Sequence, residues 1–265
     1  MVSVDFNKKW WGSDYDWAES GDEWSAPWGG AEAQWYGSLF PRIHRYLPTG
    51  QAVEIACGYG RWTQFLKENS QHLTGVDISE VCIDACKERF KGESNLTFAL
   101  NDGTTFPGIA DQSLDFIFSF DSLVHVDKVT ITGYLAEFRR TLKPEGVAFI
   151  HHSNLGAYER RYAALRRIPK ALGVLQRLHV MDYHRGRDQF VSAQFVEQAA
   201  EEAGLRCIGQ EVVTWLTRRT FLDCISVIVP QESPAVRPNV VLRNRRFNRE
   251  PAFTAHVASI HSPAP

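Results

Sequence analysis

The sequence predicts an α/β fold with a doubly wound, mostly parallel sheet, and three observations carry that expectation. Residues 53–60 (Val-Glu-Ile-Ala-Cys-Gly-Tyr-Gly) read as an apolar strand that ends in a turn of small residues. A second apolar run, Leu73 to Val76, closes on Asp77. Strand-length apolar runs then alternate with helix-length segments down the chain, the order that lays helices on both faces of a parallel sheet.

The elements follow in order. Residues 1–50 form a segment of their own, with six of the eight tryptophans (Trp10, Trp11, Trp17, Trp24, Trp28, Trp35) interleaved with Asp14, Asp16, Glu19, Asp22 and Glu23. These rings either cover a face of the sheet or form a lid over a ligand, and different rings can do each. Leu39, Ile43 and Leu47 repeat every four residues, so 34–47 is a helix leading into strand one. Arg61 to Asn69 and Ser79 to Lys91 are the next helices, the second with Ser79 as N-cap. Leu96 to Leu100 is strand three, and Leu114 to Asp121 is strand four with its carboxyl end. Thr130 to Leu142 is a helix, Lys143-Pro144-Glu145-Gly146 a turn, and Val147 to Ile150 strand five. An insertion at about 155–187 is basic, carrying Arg160, Arg161, Arg166, Arg167, Lys170, Arg177, Arg185 and Arg187 against Glu159 and Asp182. It is either a solvated face or a cap over the site. Ser192 to Ala203 is a helix closed by Gly204, and Arg206 to Trp215 and Cys224 to Val229 are the last two strands. The core domain is thus 51–232, and 233–265, with five prolines and no sustained period, is an extended arm, disordered or packed across a partner. A homodimer would form through the N- or C-terminal arm.

Composition excludes several classes. A hydrophobic share of 44% and a charged share of 23% are those of a soluble globular protein. A net charge of −2 and an acidic rather than basic aromatic segment argue against nucleic acid as partner. No apolar h-region opens the chain and no stretch approaches a membrane span, so a cytoplasmic protein without membrane attachment is expected. Five cysteines without Cys-x-x-Cys spacing indicate neither a disulfide framework nor zinc.

A strand, a tight turn, a helix and an acid about 20 positions on form the cofactor half of a nucleotide-binding unit. Arg61 stands where a dinucleotide fingerprint needs its third glycine, which disfavours NAD. The run Glu54-Ile55-Ala56-Cys57-Gly58-Tyr59-Gly60 instead resembles motif I of class I S-adenosylmethionine-dependent methyltransferases, with Ala56 replacing the first glycine. Asp77, Asn101-Asp102-Gly103, the Leu114 to Asp121 strand end and Leu-Lys-Pro-Glu-Gly (142–146) continue the resemblance, which covers about residues 50–230. It implies the family's seven-stranded sheet with an antiparallel final strand. It also implies a cofactor held by Glu54, Ala56, Gly58, Gly60, Asp77, Ile78, Asp102, Gly103 and Phe120, with Asp77 on the ribose hydroxyls and Asp102 facing the adenine amine. The segments 28–35, 119–125 and 151–154 look like those of bacterial sugar and polysaccharide O-methyltransferases, which implies a hydroxyl of a saccharide or related polyol as acceptor. Phenols, amines, lipids or a catalytically silent scaffold role are the alternatives.

A hydroxyl acceptor needs a base or a metal. Asp121 and His125 follow strand four, and His151 and His152 end strand five on opposite faces. His152 is the favoured base, with Asp121 orienting it and His151 the next candidate; His125 reads as a packing residue. Mg²⁺ on Asp121, Asp127, His151 or His152 is the rival use of the same groups.

Overall fold

The computed structural model describes residues 4–167, 174, 177, 186–215 and 220–261. Eight strands form one sheet in the order β3-β2-β1-β4-β5-β7-β6-β8. They are β1 (Thr49–Ile55), β2 (Ser70–Asp77), β3 (Leu96–Leu100), β4 (Leu114–Ser119), β5 (Leu142–Ser153), β6 (Leu205–Val213), β7 (Asp223–Pro230) and β8 (Val240–Asn244). Pairing is parallel from β3 through β5, and β7 runs antiparallel to both β5 and β6. Strand order reverses direction at the β1–β4 seam, where Ala52 to Glu54 pair with Phe116 to Phe118. A crevice opens beyond the carboxyl ends of the strands at such a reversal.

Alternation along the central strands feeds two cores. Phe116 and Phe118 of β4 and Val147 and Phe149 of β5 pack with Trp35, Leu39, Ile43, Trp62 and Phe247 on one face. Ile117, Ala148 and Ile150 pack on the other with Ile131, Leu135 and Phe138 and with Val196 and Ala199. Helix α1 is Glu80–Arg89, α2 is Lys128–Thr141 and α3 is Ala193–Glu202. Each starts on a side-chain cap, with Ser79, Asp127 and Ser192 accepting from Cys82, Thr130 and Phe195 N–H. All five cysteines are free and buried.

Two expectations need correction. The Lys143 to Gly146 turn is a bulge inside β5, where the register with β4 shifts between Leu114 and Phe116. The segment read as an extended arm supplies an eighth strand, so the sheet is not seven-stranded and β7, not the final strand, is antiparallel. Val240 to Asn244 pair parallel with Gly209 to Val213. Helix α4 (Glu250–His261) follows, and Arg42 bridges Glu250 and Glu211 at 2.9 and 2.6 Å to tie this segment to the N-terminal helices. Most of the basic insertion lies outside the described residues, and among those described no helix is long and apolar enough to cross a membrane.

Candidate active site

The turn after β1 is bent by three residues with positive φ: Ala56 (54°), Gly58 (55°) and Gly60 (87°). Glycine at 60 is enforced by packing, because a Cβ there would lie 2.3 Å from the Phe90 ring. At 58 it permits close approach, since a Cβ would stand 3.1 Å from the Trp17 ring. Asp77 at the end of β2 clamps this turn: Oδ2 accepts from Gly58 N–H and Oδ1 from Ser79 N–H, both at 2.9 Å. Burial pushes the Asp77 carboxyl above its ordinary range, and these backbone donors oppose that shift.

Above the turn lies a cavity of about 670 Å³. One wall holds Ala56, Gly58, Asp77, Ile78, Asn101 and Gly103; the other holds Arg61, Phe120, Asp121, His125, Arg187 and Trp215. The N-terminal segment closes it with Trp11, Trp17, Trp24 and Trp28. Trp17 stacks on Tyr59 of the turn at 4.6 Å between centroids, while Trp35 is wholly buried against Phe65 and Trp62. Some tryptophans therefore face the cavity and one is core.

Of the residues the sequence pointed to, Ala56, Gly58, Asp77, Ile78, Gly103, Phe120 and Asp121 line the cavity. Glu54, Gly60 and Asp102 do not. Glu54 is buried beneath the turn, taking a hydrogen bond from Thr63 Oγ1, and burial pushes its carboxyl up to about 8. Asp102 turns outward to cap its own loop, accepting from Thr104 and Thr105 N–H. Its neighbour Asn101 lines the cavity instead: Nδ2 donates to Thr105 O and Tyr134 Oη, and buried Oδ1 has no partner. Asp77 and Asn101 beside a glycine turn offer polar groups for the diol and amino group of an adenosine moiety, so the residues present suit the cofactor implied by motif I.

Neither strand-five histidine, His152 or His151, lines the cavity. His151 shares the Phe149 face and stacks on Phe120 at 4.4 Å, but it is fully buried behind Phe120 and outside the cavity wall. Its Nδ1 accepts from Asp121 N–H at 3.1 Å, and Nε2 faces Asp223 Oδ2 at 3.4 Å. His152 lies on the opposite face, its Nδ1 donating to Ser153 O and its Nε2 paired with Ser226 Oγ, each at 2.8 Å. It is a satisfied core histidine, not a base at the cavity. Asp121, at φ 69°, pairs with Arg61 at 3.1 Å, and Asp127 caps α2. With these donors committed to separate places, Mg²⁺ has no fitting ligand set, and among the described residues no group of three His, Cys, Asp or Glu side chains is gathered for one.

His152 carries a stability consequence. Burial lowers its imidazole to about 4, so between about pH 6.5, the unfolded value, and pH 4 the unfolded chain binds a proton that the native state refuses. The contribution of His152 to stability is full above about pH 6.5 and falls by about 3 kcal/mol as pH drops to 4. Urea unfolding of wild type and His152→Gln across that range checks this: the two pH profiles should diverge by about 3 kcal/mol between pH 6.5 and 4, the wild type losing more as pH falls, and parallel profiles would refute the assignment.

Sequence reasoning did not single out Asn101 or the buried network behind the cavity. Arg187 donates bidentately to Asp223 at 2.6 and 2.7 Å, and Trp215 Nε1 also donates to Asp223. Arg187 and attraction from His151 hold the Asp223 carboxyl far below the usual range against the opposing effect of burial.

Residues 52–146 match a family model described as a methyltransferase domain. The chain is 28% identical over 169 residues to the biotin biosynthesis bifunctional protein BioHC of Cellvibrio japonicus, covering 62% of this chain and 30% of that protein. It is 29% identical over 100 residues to the demethylmenaquinone methyltransferase of Staphylococcus aureus, covering 37% of this chain and 40% of that one. The matches thus span less than half the length of these curated relatives. A Pyrococcus horikoshii protein shares the fold with a TM-score of 0.55 at 22% identity, over 75% of this chain and 90% of that chain. A SAM-dependent methyltransferase from Aquifex aeolicus does so with a TM-score of 0.51 at 13% identity, over 74% and 93%. Matched sequence over residues 52–146 and the shared sheet fold thus make this part of the chain similar to a methyltransferase domain, with the glycine turn opening on the cavity.

Proposed function

We propose that the protein is an active methyltransferase that moves a methyl group from S-adenosylmethionine to a hydroxyl of a saccharide or related polyol enclosed beneath the N-terminal tryptophans. The observation that carries this is the make-up of the cavity above the β1 turn. Its volume is in the range of sites that enclose ligands of drug size and above. At one end stand the turn, Asp77 and Asn101, suited to the cofactor. Elsewhere on its wall, the aromatic faces of Trp11, Trp17, Trp24 and Trp28 stand among the polar residues Asn7, Glu23, Arg61 and Asp121. Flat apolar faces beside polar side chains suit a ligand with C–H faces and a rim of hydroxyls.

The cofactor supplies an electrophilic methyl group. The chain's own part is to align the acceptor against it, exclude water and remove a proton. The tryptophans exclude water, while the Arg61–Asp121 pair fixes one side of the acceptor space. A second reading, a flat phenolic or quinol ring, is favoured by the same aromatic walls and by the relative whose name gives demethylmenaquinone as substrate.

Incubation with methyl-labelled cofactor and a panel of glycans, phenols, quinols, amines and RNA tests the proposal. Turnover on glycans, with tryptophan emission shifted when the cavity fills, is expected. Turnover on phenols or quinols alone would select the second reading, amines or RNA alone would reject hydroxyl transfer, and none on any acceptor would support a silent scaffold.

A further inference from the structure

We propose that His125 is the general base of the reaction, held by the Gly186 carbonyl in the tautomer whose lone pair sits on Nε2. This rests on the hydroxyl-acceptor reading above. Of the described histidines, His125 is the one that lines the cavity. Its Nδ1 lies 3.1 Å from Gly186 O. A carbonyl oxygen can only accept, so Nδ1 carries the hydrogen and the neutral ring presents an unprotonated Nε2.

The ring is held from several directions. Asn7 Nδ2 donates to the His125 carbonyl at 2.9 Å, and the Trp11 ring packs on the imidazole with centroids 5.3 Å apart. Asp188 N–H donates to Val124 O at 2.9 Å, tying the turn that carries His125 to the chain just after Gly186. Both the N-terminal segment and the end of the insertion therefore position this side chain, as a base that must meet an enclosed acceptor requires. Burial lowers its proton affinity, Arg187 adds to that, and the Gly186 bond and the carboxylates of Asp121 and Asp223 oppose it. The ring is then neutral, and able to accept, at physiological pH.

Other groups on the wall are less free. Asp121 is paired with Arg61, and Asp77 is clamped by backbone donors. Glu23 is the rival, because Oε1 accepts from Tyr15 Oη while the buried Oε2 has no partner. In the step, the acceptor oxygen bonds to the methyl carbon, the methyl–sulfur bond breaks with its electron pair staying on sulfur, and the hydroxyl proton moves to Nε2. The imidazolium so formed releases that proton to water.

Two measurements decide it. In the free protein, nitrogen NMR of the imidazole should show hydrogen on Nδ1 and a midpoint below the ordinary 6.5. His125→Asn, whose amide can still donate to Gly186 O, should bind S-adenosylhomocysteine like wild type by calorimetry. Its turnover at pH 7 should fall about 10²–10⁴-fold, with partial rescue by added imidazole. Hydrogen on Nε2 in the free protein, full turnover of His125→Asn on a hydroxyl acceptor, or loss of turnover in Glu23→Gln but not in His125→Asn would each overturn the base. Wild-type turnover on amines alone would overturn the hydroxyl reading and the base with it.

Discussion

Replacing Asp77 by alanine should weaken binding of S-adenosylhomocysteine by about 100-fold, or roughly 2.7 kcal/mol. The size follows from a double role. The carboxylate has about four lone-pair sites and uses one on each oxygen for the N–H groups of Gly58 and Ser79, leaving the others for a ligand diol. Alanine removes both the acceptor and the clamp on the turn, and hydrogen bonds to a charged group contribute about 1.5–3 kcal/mol each. Asparagine is not a mild substitute. Both backbone partners are donors, so its amide NH₂ must face an N–H whichever way it is turned, and a loss nearly as large is expected. Titration calorimetry checks this; unchanged affinity in Asp77→Ala would mean that the cofactor does not lie against the β1 turn.

The turn itself was legible because its constraints are local. Small residues at 56, 58 and 60, an acid closing the next strand and Ser79 ahead of a helix are patterns that backbone conformation and capping demand of neighbours in sequence. The face of a histidine on β5 is different. Alternation places His151 and His152 on opposite sides, but the strand is buried on both, with Phe149 against one core and Ile150 against the other, so no change of polarity marks the side nearer the site. The same limit separates Asp102 from Asn101, where the outcome depends on which side chain caps the loop.

Long-range partners were less visible still. Arg187 was one of eight basic residues in the insertion, and only the fold brings it onto Asp223, 36 positions away. Likewise, Val240 to Leu242 show no alternation because all three side chains are exposed on an edge strand. What makes them a strand is the open edge of β6, which nothing in the arm's own pattern announces.

Asp223→Ala should destabilise the protein by about 3–5 kcal/mol at pH 7, the typical cost of removing one partner from a buried ion pair. Both side chains are buried, so the Arg187 guanidinium would be left without its bidentate acceptor, and Trp215 Nε1 would lose its acceptor as well. Much of this loss comes from leaving a buried guanidinium without this carboxylate rather than from the pair's net value. Arg187→Met with Asp223→Leu should therefore cost less than the two single changes added together. The sign of the pH dependence follows from the depressed native value. The unfolded carboxyl titrates near 3.9 and the native one far below it, so the stabilisation is complete above about pH 5 and is lost progressively as pH falls through and beyond 3.9. This acid limb lies below the one due to His152, and Asp223→Ala should remove it while leaving the higher limb in place. Denaturation at pH 7 and pH 3 measures both effects. A change under about 1 kcal/mol at pH 7 would show that water replaces the carboxylate beside Arg187 without penalty, and the network would then not be what holds Asp121 and the cavity wall in position.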